Sequence, residues 1–448
     1  SVDKDNFMLA IRKPLRHWRT ALVTIAALLL LFISVGRGDH VSDLKATVGA
    51  HHQDLVRWEI THFMDKWFAK AVDAILAKSQ NQEERLAEVE LFFALGKKLR
   101  DANDALELEL AASLTATKVL GHTSTSSHTE STVEPVASII STIDEIKNKR
   151  RILQPNVEET LESAISGIVT DLGITNSFGP VDWPPVDFTF EDRGLLLVRS
   201  PRDAIVRLDD ILLDPGIPVL EQVQLEENVE NLDESISALI VRVGGIATYP
   251  AQISPERTLH GTLEIAAHEW LHHWLIFRPL GRRWGDGGEL QSINETLANL
   301  FAQEVGDLSL KHLTGDVVTR VPWTLPLSPN HKEPSADIFD FSREMRLTRF
   351  NLERLLEERS TDIAEAYLEE RRLEFVDNGF NIRKLNNAWF AFNGTYADSP
   401  GSISPIEPQL RIIRAASPDL VTFLKSIAVI TEPGELEAMA VTAGWVRP

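Results

Sequence analysis

The chain has 448 residues, 43% of them apolar and 25% charged, a balance that excludes a disordered polypeptide and leaves length for about two or three domains. It contains no cysteine, which rules out disulfides, thiolate metal sites and a cysteine nucleophile together. With 66 acidic side chains against 45 basic ones the net charge is −21, which argues against nucleic acid as a partner.

Residues 1–20 form a short basic tail, and 21–36 is an uncharged apolar run entered through Arg12, Lys13, Arg16 and Arg19. The run predicts a transmembrane anchor, short against the roughly 20 residues that a spanning helix needs but extended by Trp18 and a snorkelling Arg19. Up to Arg37, Lys4, Arg12, Lys13, Arg16, Arg19 and Arg37 outnumber Asp3 and Asp5. The positive-inside rule then makes the protein single-pass, with its tail cytoplasmic and its acidic body, catalytic domain included, outside. A cleaved signal peptide is the rival reading, although Ile33 to Arg37 lacks a small-x-small cleavage site.

Residues 38–175 carry helical apolar spacing and are expected as a membrane-proximal region, interrupted by a polar linker at 121–135 that holds His122 and His128. This region is the expected surface for a membrane-protein partner. Val186 to Phe190, Gly194 to Arg199 and Ala204 to Leu208 then read as short strands, and Pro218 to Asp233 as an acidic helix. Ser237 to Pro250 is rich in β-branched residues and broken by Gly244-Gly245, so it reads as one or two strands.

Ser254-Pro255-Glu256 next suggests a helix start, with Ser254 as N-cap and Pro255 at the first position. The helix extends from Arg257 to Phe277 and is stopped by Arg278-Pro279-Leu280-Gly281. It contains His268-Glu269-Trp270-Leu271-His272. Residues four apart share a helix face, so both imidazoles can reach one Zn²⁺, with Glu269 close enough to deprotonate a water. Leu263, Ile265, Ala266, Ala267, Leu271, Trp274 and Leu275 make the helix apolar around most of its circumference. Burying two histidines and a glutamate there without partners costs on the order of several kcal/mol, which a cation offsets. The alternative is a pair of hydrogen-bonded core histidines. His273 lies off the ligand face and reads as structural or solvent-facing.

A glycine-rich loop, Gly281 to Gly288, leads to a second helical pattern from Glu289 to Gly306. A tetrahedral catalytic zinc takes three protein ligands and keeps one position open. Glu295 is the third candidate, its alternative being a solvated helix carboxylate. Asn299, one turn further on, is placed to hydrogen-bond the distal nitrogen of a ligand histidine, and Asn294 adjoins the ligand carboxylate.

H-E-x-x-H followed by Asn294-Glu295 on a second helix resembles the gluzincin branch of zincin metallopeptidases, the group that includes thermolysin and aminopeptidase N. Asn299 stands where thermolysin-like enzymes carry an Asp, and the interval from His272 to Glu295 is a few residues longer than theirs. The resemblance covers Ser237 to Asp307. It implies an α+β fold: a zincin-like catalytic domain whose upper lobe, 180–307, has a small mixed sheet and the active-site helix, followed by a mainly helical lobe at 308–448. It also implies that the strand region 237–250 binds extended peptide by backbone pairing, the alternative being an ordinary core strand.

In the C-terminal part, Pro322 to Pro334 is proline-rich and Asn351 to Phe375 reads as one charged amphipathic helix. Lys384 to Asp398, with its Asn-Asn-Ala and Gly-Thr-Tyr-Ala-Asp pieces, resembles the C-terminal region of some bacterial predicted aminopeptidases. Tyr396 is the candidate oxyanion donor opposite Glu269, with His331 and Tyr249 as alternatives. Two functions follow as expectations. One is a membrane-anchored zinc peptidase, in its narrower form an aminopeptidase, acting on peptide or protein substrates. The other is a membrane-tethered scaffold with an inactive zincin fold; an intact Glu269 favours the first.

Overall fold

Long helical periodicities at both ends of the chain flank short β-branched runs in its middle, and the computed structural model keeps that division. It describes residues 47–51, 81–119, 127–178, 181–192, 194–320, 339–358 and 360–446. Among the described residues, the first long helices are α1 (Gln82–Val119) and α2 (Ser127–Asp171). They run antiparallel: Asn156 bonds Glu88, and the Arg150 guanidinium lies over the Phe92 ring. The expected polar linker at 121–135 is shorter than predicted, because its Ser/Thr-rich second half starts α2, as residues that favour helix N-termini can. His128 therefore lies on helical backbone, whereas His122 falls outside the described residues.

Two three-stranded sheets and a hairpin form the middle. The hairpin pairs β1 (Asn176–Phe178) with β2 (Val181–Trp183). In one sheet β4 (Leu195–Pro201) is central, antiparallel to β5 (Asp210–Leu213) and to β6 (Ile236–Arg242). In the other, β8 (Ala251–Ile253) is central, parallel to β3 (Phe188–Phe190) and antiparallel to β7 (Gly245–Ile246). The strand expected at Ala204 to Leu208 forms later, at β5. The Ser200 hydroxyl donates to Ala204 O and accepts from Val206 N, which curls the intervening segment into a loop.

Two outer strand edges, those of β6 and β3, are closed by side chains from helices, which disfavours pairing with other chains. On β6, Ile240 N donates to Glu226 Oε1 (2.6 Å) and Ala238 N to Glu230 Oε1 (2.8 Å), both from α3 (Val219–Leu232). Asn386 and Arg383 donate to the carbonyls of Ala238 and Ile240 in turn. On β3, Phe188 N and Phe190 N donate to Glu162 and Glu158 of α2. β7 is paired with β8 on one side, and among the described residues no side chain caps Gly245.

The helix α4 (Leu259–Leu275) lies against α6 (Gly288–Thr314) in the most extensive packing between α4 and any other element. A short α5 (Pro279–Arg282) and a 3₁₀ turn, Trp284–Asp286, connect them. α4 begins later than Ser254-Pro255 suggested. Arg150 and Arg100 bind the carbonyls of Pro255 and Glu256, which keeps those carbonyls out of a helical ladder, and Thr258 becomes the N-cap with its hydroxyl on Gly261 N. α6 continues well past Gly306, the residue expected to end it. An added Cβ at Gly306 would stand 2.7 Å from Glu264 Cγ and 3.2 Å from its Cα, so this glycine lets the two helices approach rather than ending one of them.

The C-terminal part is α7 (Phe341–Glu357), α8 (Thr361–Asp377), α9 (Asn387–Asn393), α10 (Ile406–Ala416), α11 (Leu420–Ile427) and α12 (Pro433–Thr442). The single helix expected over Asn351 to Phe375 is broken near Ser360. Folding back lets Leu352 and Leu356 of α7 meet Ala364, Leu368 and Phe375 of α8 in one cluster, which a straight helix could not do. One larger core joins Val89 and Phe92 of α1, Leu161 and Ile165 of α2, Trp270 and Trp274 of α4, Leu297 and Phe301 of α6 and Phe423 of α11. Residues Ala50–Pro448 thus form one compact unit.

The expected α+β fold led by a spanning helix needs correction. Among the described residues no helix is long and apolar enough to cross a membrane. The long helices α1 and α2 carry charges along much of their length, Glu83, Glu84 and Arg85 in the first turn of α1 for example. The fold is a mixed, mainly helical one with small sheets. The expected transmembrane helix and single-pass placement are therefore not supported, and segments 1–20 and 21–36 lie outside the described residues.

The Gly306 contact sets two effects against each other. Gly→Ala within a helix is worth about 1 kcal/mol of stabilisation by propensity alone, whereas forcing a methyl group into a close contact costs about 1–3 kcal/mol. Because backbone atoms of Glu264 as well as its side chain lie in the way, Gly306→Ala is expected to lower the urea unfolding midpoint. A raised midpoint would mean that α4 and α6 do not pack this closely.

Candidate metal centre

α4 carries His268 and His272 on one face toward α6, and α6 carries Glu295 back toward them. The two Nε2 atoms are 3.0 Å apart, and each is 3.4 Å from Glu295 Oε2. The rings stand edge to face, 4.7 Å between centroids. Three donors about 2.0–2.1 Å from a shared tetrahedral centre stand roughly 3.3–3.4 Å apart, so the three atoms fit three corners of a small metal ion's coordination shell. His268 and Glu295 are buried and His272 is half-buried. The three residues can hold a metal ion.

Hydrogen bonds orient two of the three. His272 Nδ1 lies 3.0 Å from Asn294 Oδ1, a carbonyl that requires the proton on Nδ1 and so turns the Nε2 lone pair inward. Glu295 Oε1 accepts from the Trp284 indole N–H at 2.8 Å, leaving Oε2 for the histidines. His268 Nδ1 is buried with no hydrogen-bond partner among the described residues. Asn299, expected on a histidine nitrogen, turns away instead: its Nδ2 donates to both carboxylate oxygens of Asp398, at 2.9 and 3.1 Å. Asn299 thus helps to hold a C-terminal turn rather than a ligand.

That turn carries Tyr396. Ala397 N donates to Thr296 Oγ1 at 2.9 Å and Asp398 takes the Asn299 amide, so residues on the C-terminal side of Tyr396 are tied to the ligand helix at two points. Burial raises the Tyr396 phenol well above its ordinary range, and Glu295 and Glu269 add to the rise while Arg207 opposes it. Tyr396 is therefore a neutral hydroxyl within electrostatic reach of Glu269 and Glu295. Arg207 belongs to the same neighbourhood: it is paired with Asp210, lies over the Phe392 ring and reaches Thr395 Oγ1 at 3.4 Å.

Glu269 is buried beside the two imidazoles. Burial raises its carboxyl above the ordinary range; His268 and His272 pull it down and Glu295 pushes it up. Its Oε1 lies so near the outer strand of the second sheet that an added Cβ at Gly245 would stand 2.4 Å away. The Gly244-Gly245 break therefore does more than interrupt a strand, since it brings backbone up to the carboxylate.

His273 is buried rather than solvent-facing: Nε2 donates to Thr248 O at 2.9 Å, and burial lowers its pKa to about 4. Tyr249 packs edge-on against His273, and His331 lies outside the described residues. Trp284, Thr296, Asp398 and Arg207 were not singled out in the sequence. Of these, only Trp284 carries a local signal, as the large aromatic in a glycine-rich loop between the ligand helices. His260, Glu264 and Asp307 make a second group able to hold a metal ion, but the Arg320 guanidinium already binds both carboxylates. Comparison with protein-family models, with curated proteins and with solved structures finds no match for this chain.

In the metal-free site, burial disfavours a charged His272, but Glu295 and the hydrogen bonds to it raise its pKa to about 9. A metal ion requires the neutral imidazole and must displace that proton. Metal uptake near neutral pH is therefore expected to release a proton into a weakly buffered solution. Apparent affinity, measured by chelator competition, should rise with pH from about 6 to about 9 and then level off. Affinity that stays flat across this window would show that His272 is neutral before the metal arrives.

Proposed function

We propose that this chain is a zinc-dependent peptidase of the gluzincin type, with His268, His272 and Glu295 as ligands and Glu269 as general base. The observation that carries the proposal is the convergence of three donors, two buried and one half-buried, at tetrahedral spacing, with a desolvated carboxylate beside Gly245 of β7. Two imidazoles and one carboxylate suit zinc, which accepts nitrogen and oxygen ligands and tolerates an open position. When bound, such an ion acidifies a water molecule and polarises a carbonyl.

The protein's own groups account for the rest of the reaction. Glu269 takes a proton from the attacking water and returns it to the leaving amine nitrogen. A buried carboxylate beside both imidazoles is placed to make both transfers. Tyr396, neutral and held by the turn on α6, donates its hydroxyl proton in a hydrogen bond to the oxygen that becomes negative as the carbonyl carbon turns tetrahedral. Substrate backbone in extended form pairs with the outer edge of β7, which Gly245 sets against Glu269. Aminopeptidase action is the narrower form of the proposal, and comparing free with N-acetylated peptides decides it.

Two substitutions test the assignment. Glu269→Gln should keep about one zinc per chain, read by elemental analysis, while peptide cleavage falls by at least ~10²-fold. Cleavage that persists in this variant, or a wild-type protein that takes up no metal, would overturn it. Tyr396→Phe should lower kcat by about 10²–10³-fold with little change in KM, as loss of an oxyanion donor does. An unchanged kcat would remove Tyr396 from the reaction and leave the metal site intact.

A further inference from the structure

The segment between the ligand helices places one side chain directly on a ligand. α5 is anchored by Leu280, which is fully buried and whose N–H donates to Ala428 O at 3.1 Å. The 3₁₀ turn that follows is closed by Asp286 N on Arg283 O at 3.0 Å and by the Arg283–Asp286 ion pair. Gly287 and Gly288, at φ of 70° and 59°, then reverse the chain into α6 in a conformation that other residues adopt at a cost. Fixed on both sides, Trp284 is 36% exposed on one face and donates its indole N–H to Glu295 Oε1 on the other.

Resting on the metal-site reading above, we infer that Trp284 is a positioning residue that restricts Glu295 to a single ligating oxygen and so keeps a coordination position free for water or a substrate carbonyl. A carboxylate can bind a metal ion through one oxygen or both, and three protein ligands leave a tetrahedral site open only in the first case. Oε1 is engaged by the indole, and Oε2 alone stands 3.4 Å from both histidine nitrogens. The choice of residue fits the task. An indole is a donor without an acceptor lone pair, so it can hold the carboxylate and cannot compete to ligate the metal, as His, Asn or Gln at that distance could. The donor is also rigid, which suits a bond meant to fix one of two equivalent oxygens.

The test is metal substitution in the full chain. Cobalt(II) replaces zinc in nitrogen and oxygen sites, and its visible absorption is stronger in four-coordinate than in five-coordinate surroundings. The wild-type protein should give the strong spectrum. Trp284→Phe should give a weaker one, with chelator competition reporting a shift in affinity of about 10-fold or more and with kcat falling more than KM. The benzothienyl analogue of tryptophan, incorporated at position 284, preserves the ring and places sulfur where the N–H was. It should reproduce the spectral change with an unaltered thermal unfolding midpoint, which separates lost hydrogen bonding from lost folding. A cobalt spectrum and affinity that match the wild type in both variants would overturn the inference and leave the peptidase proposal standing. A wild-type protein that binds neither cobalt nor zinc would overturn both.

Discussion

Two imidazoles and two carboxylates share one buried volume between α4 and α6, and the arrangement of the surrounding chain follows from holding them there. Ionised groups removed from water are tolerated when opposite charges and hydrogen bonds replace the solvent. Burial disfavours a charged His272, yet Glu295 raises its pKa to about 9; burial likewise opposes an ionised Glu295, yet its histidine neighbours hold that carboxyl well below the ordinary range, so each group supplies the countercharge the other needs.

Rigid support comes from the packing of α4 against its neighbours. Trp270 stacks on Phe301 of α6 at 5.7 Å, and its indole N–H reaches Pro184 O; Trp274 reaches Ile174 O in the same manner. Each tryptophan thus fills the core with its ring and ties the histidine-bearing helix to the β1–β2 region through its polar edge. Gly306 permits the close approach on the other side. Small displacements of either helix would open the 3.0 and 3.4 Å spacings among the ligand atoms, so core packing and site geometry form one problem.

What could be read from the sequence was periodic or local. The α4 motif, the helix that bears Glu295, the acidic helix α3 and the strand region broken at Gly244-Gly245 all carry their signal within a few residues of one another. What could not be read depends on partners far along the chain. The start of α4 moved because Arg100 and Arg150 take carbonyls more than a hundred residues away. Gly306 looked like a helix stop because local propensity cannot register a neighbouring helix. Asn299 looked like a histidine partner because its spacing from Glu295 suits that role, yet Asp398, 99 residues on, holds its amide. Arg207 gave no local sign at all, since a lone arginine in a loop is ordinary until Phe392, Thr395 and Tyr396 surround it.

The carboxylates that close β3 and β6 carry a consequence for how the chain assembles. Glu158, Glu162, Glu226 and Glu230 stand in for missing strands, and each does so from a helix whose own ladder is complete without the sheet. In the β3–β8–β7 sheet the strands are only two or three residues long, so the ladder itself supplies few hydrogen bonds. Four glutamates thereby occupy backbone N–H groups that would otherwise face water or another chain, so neutralising any one of them would reopen part of a strand edge to pairing.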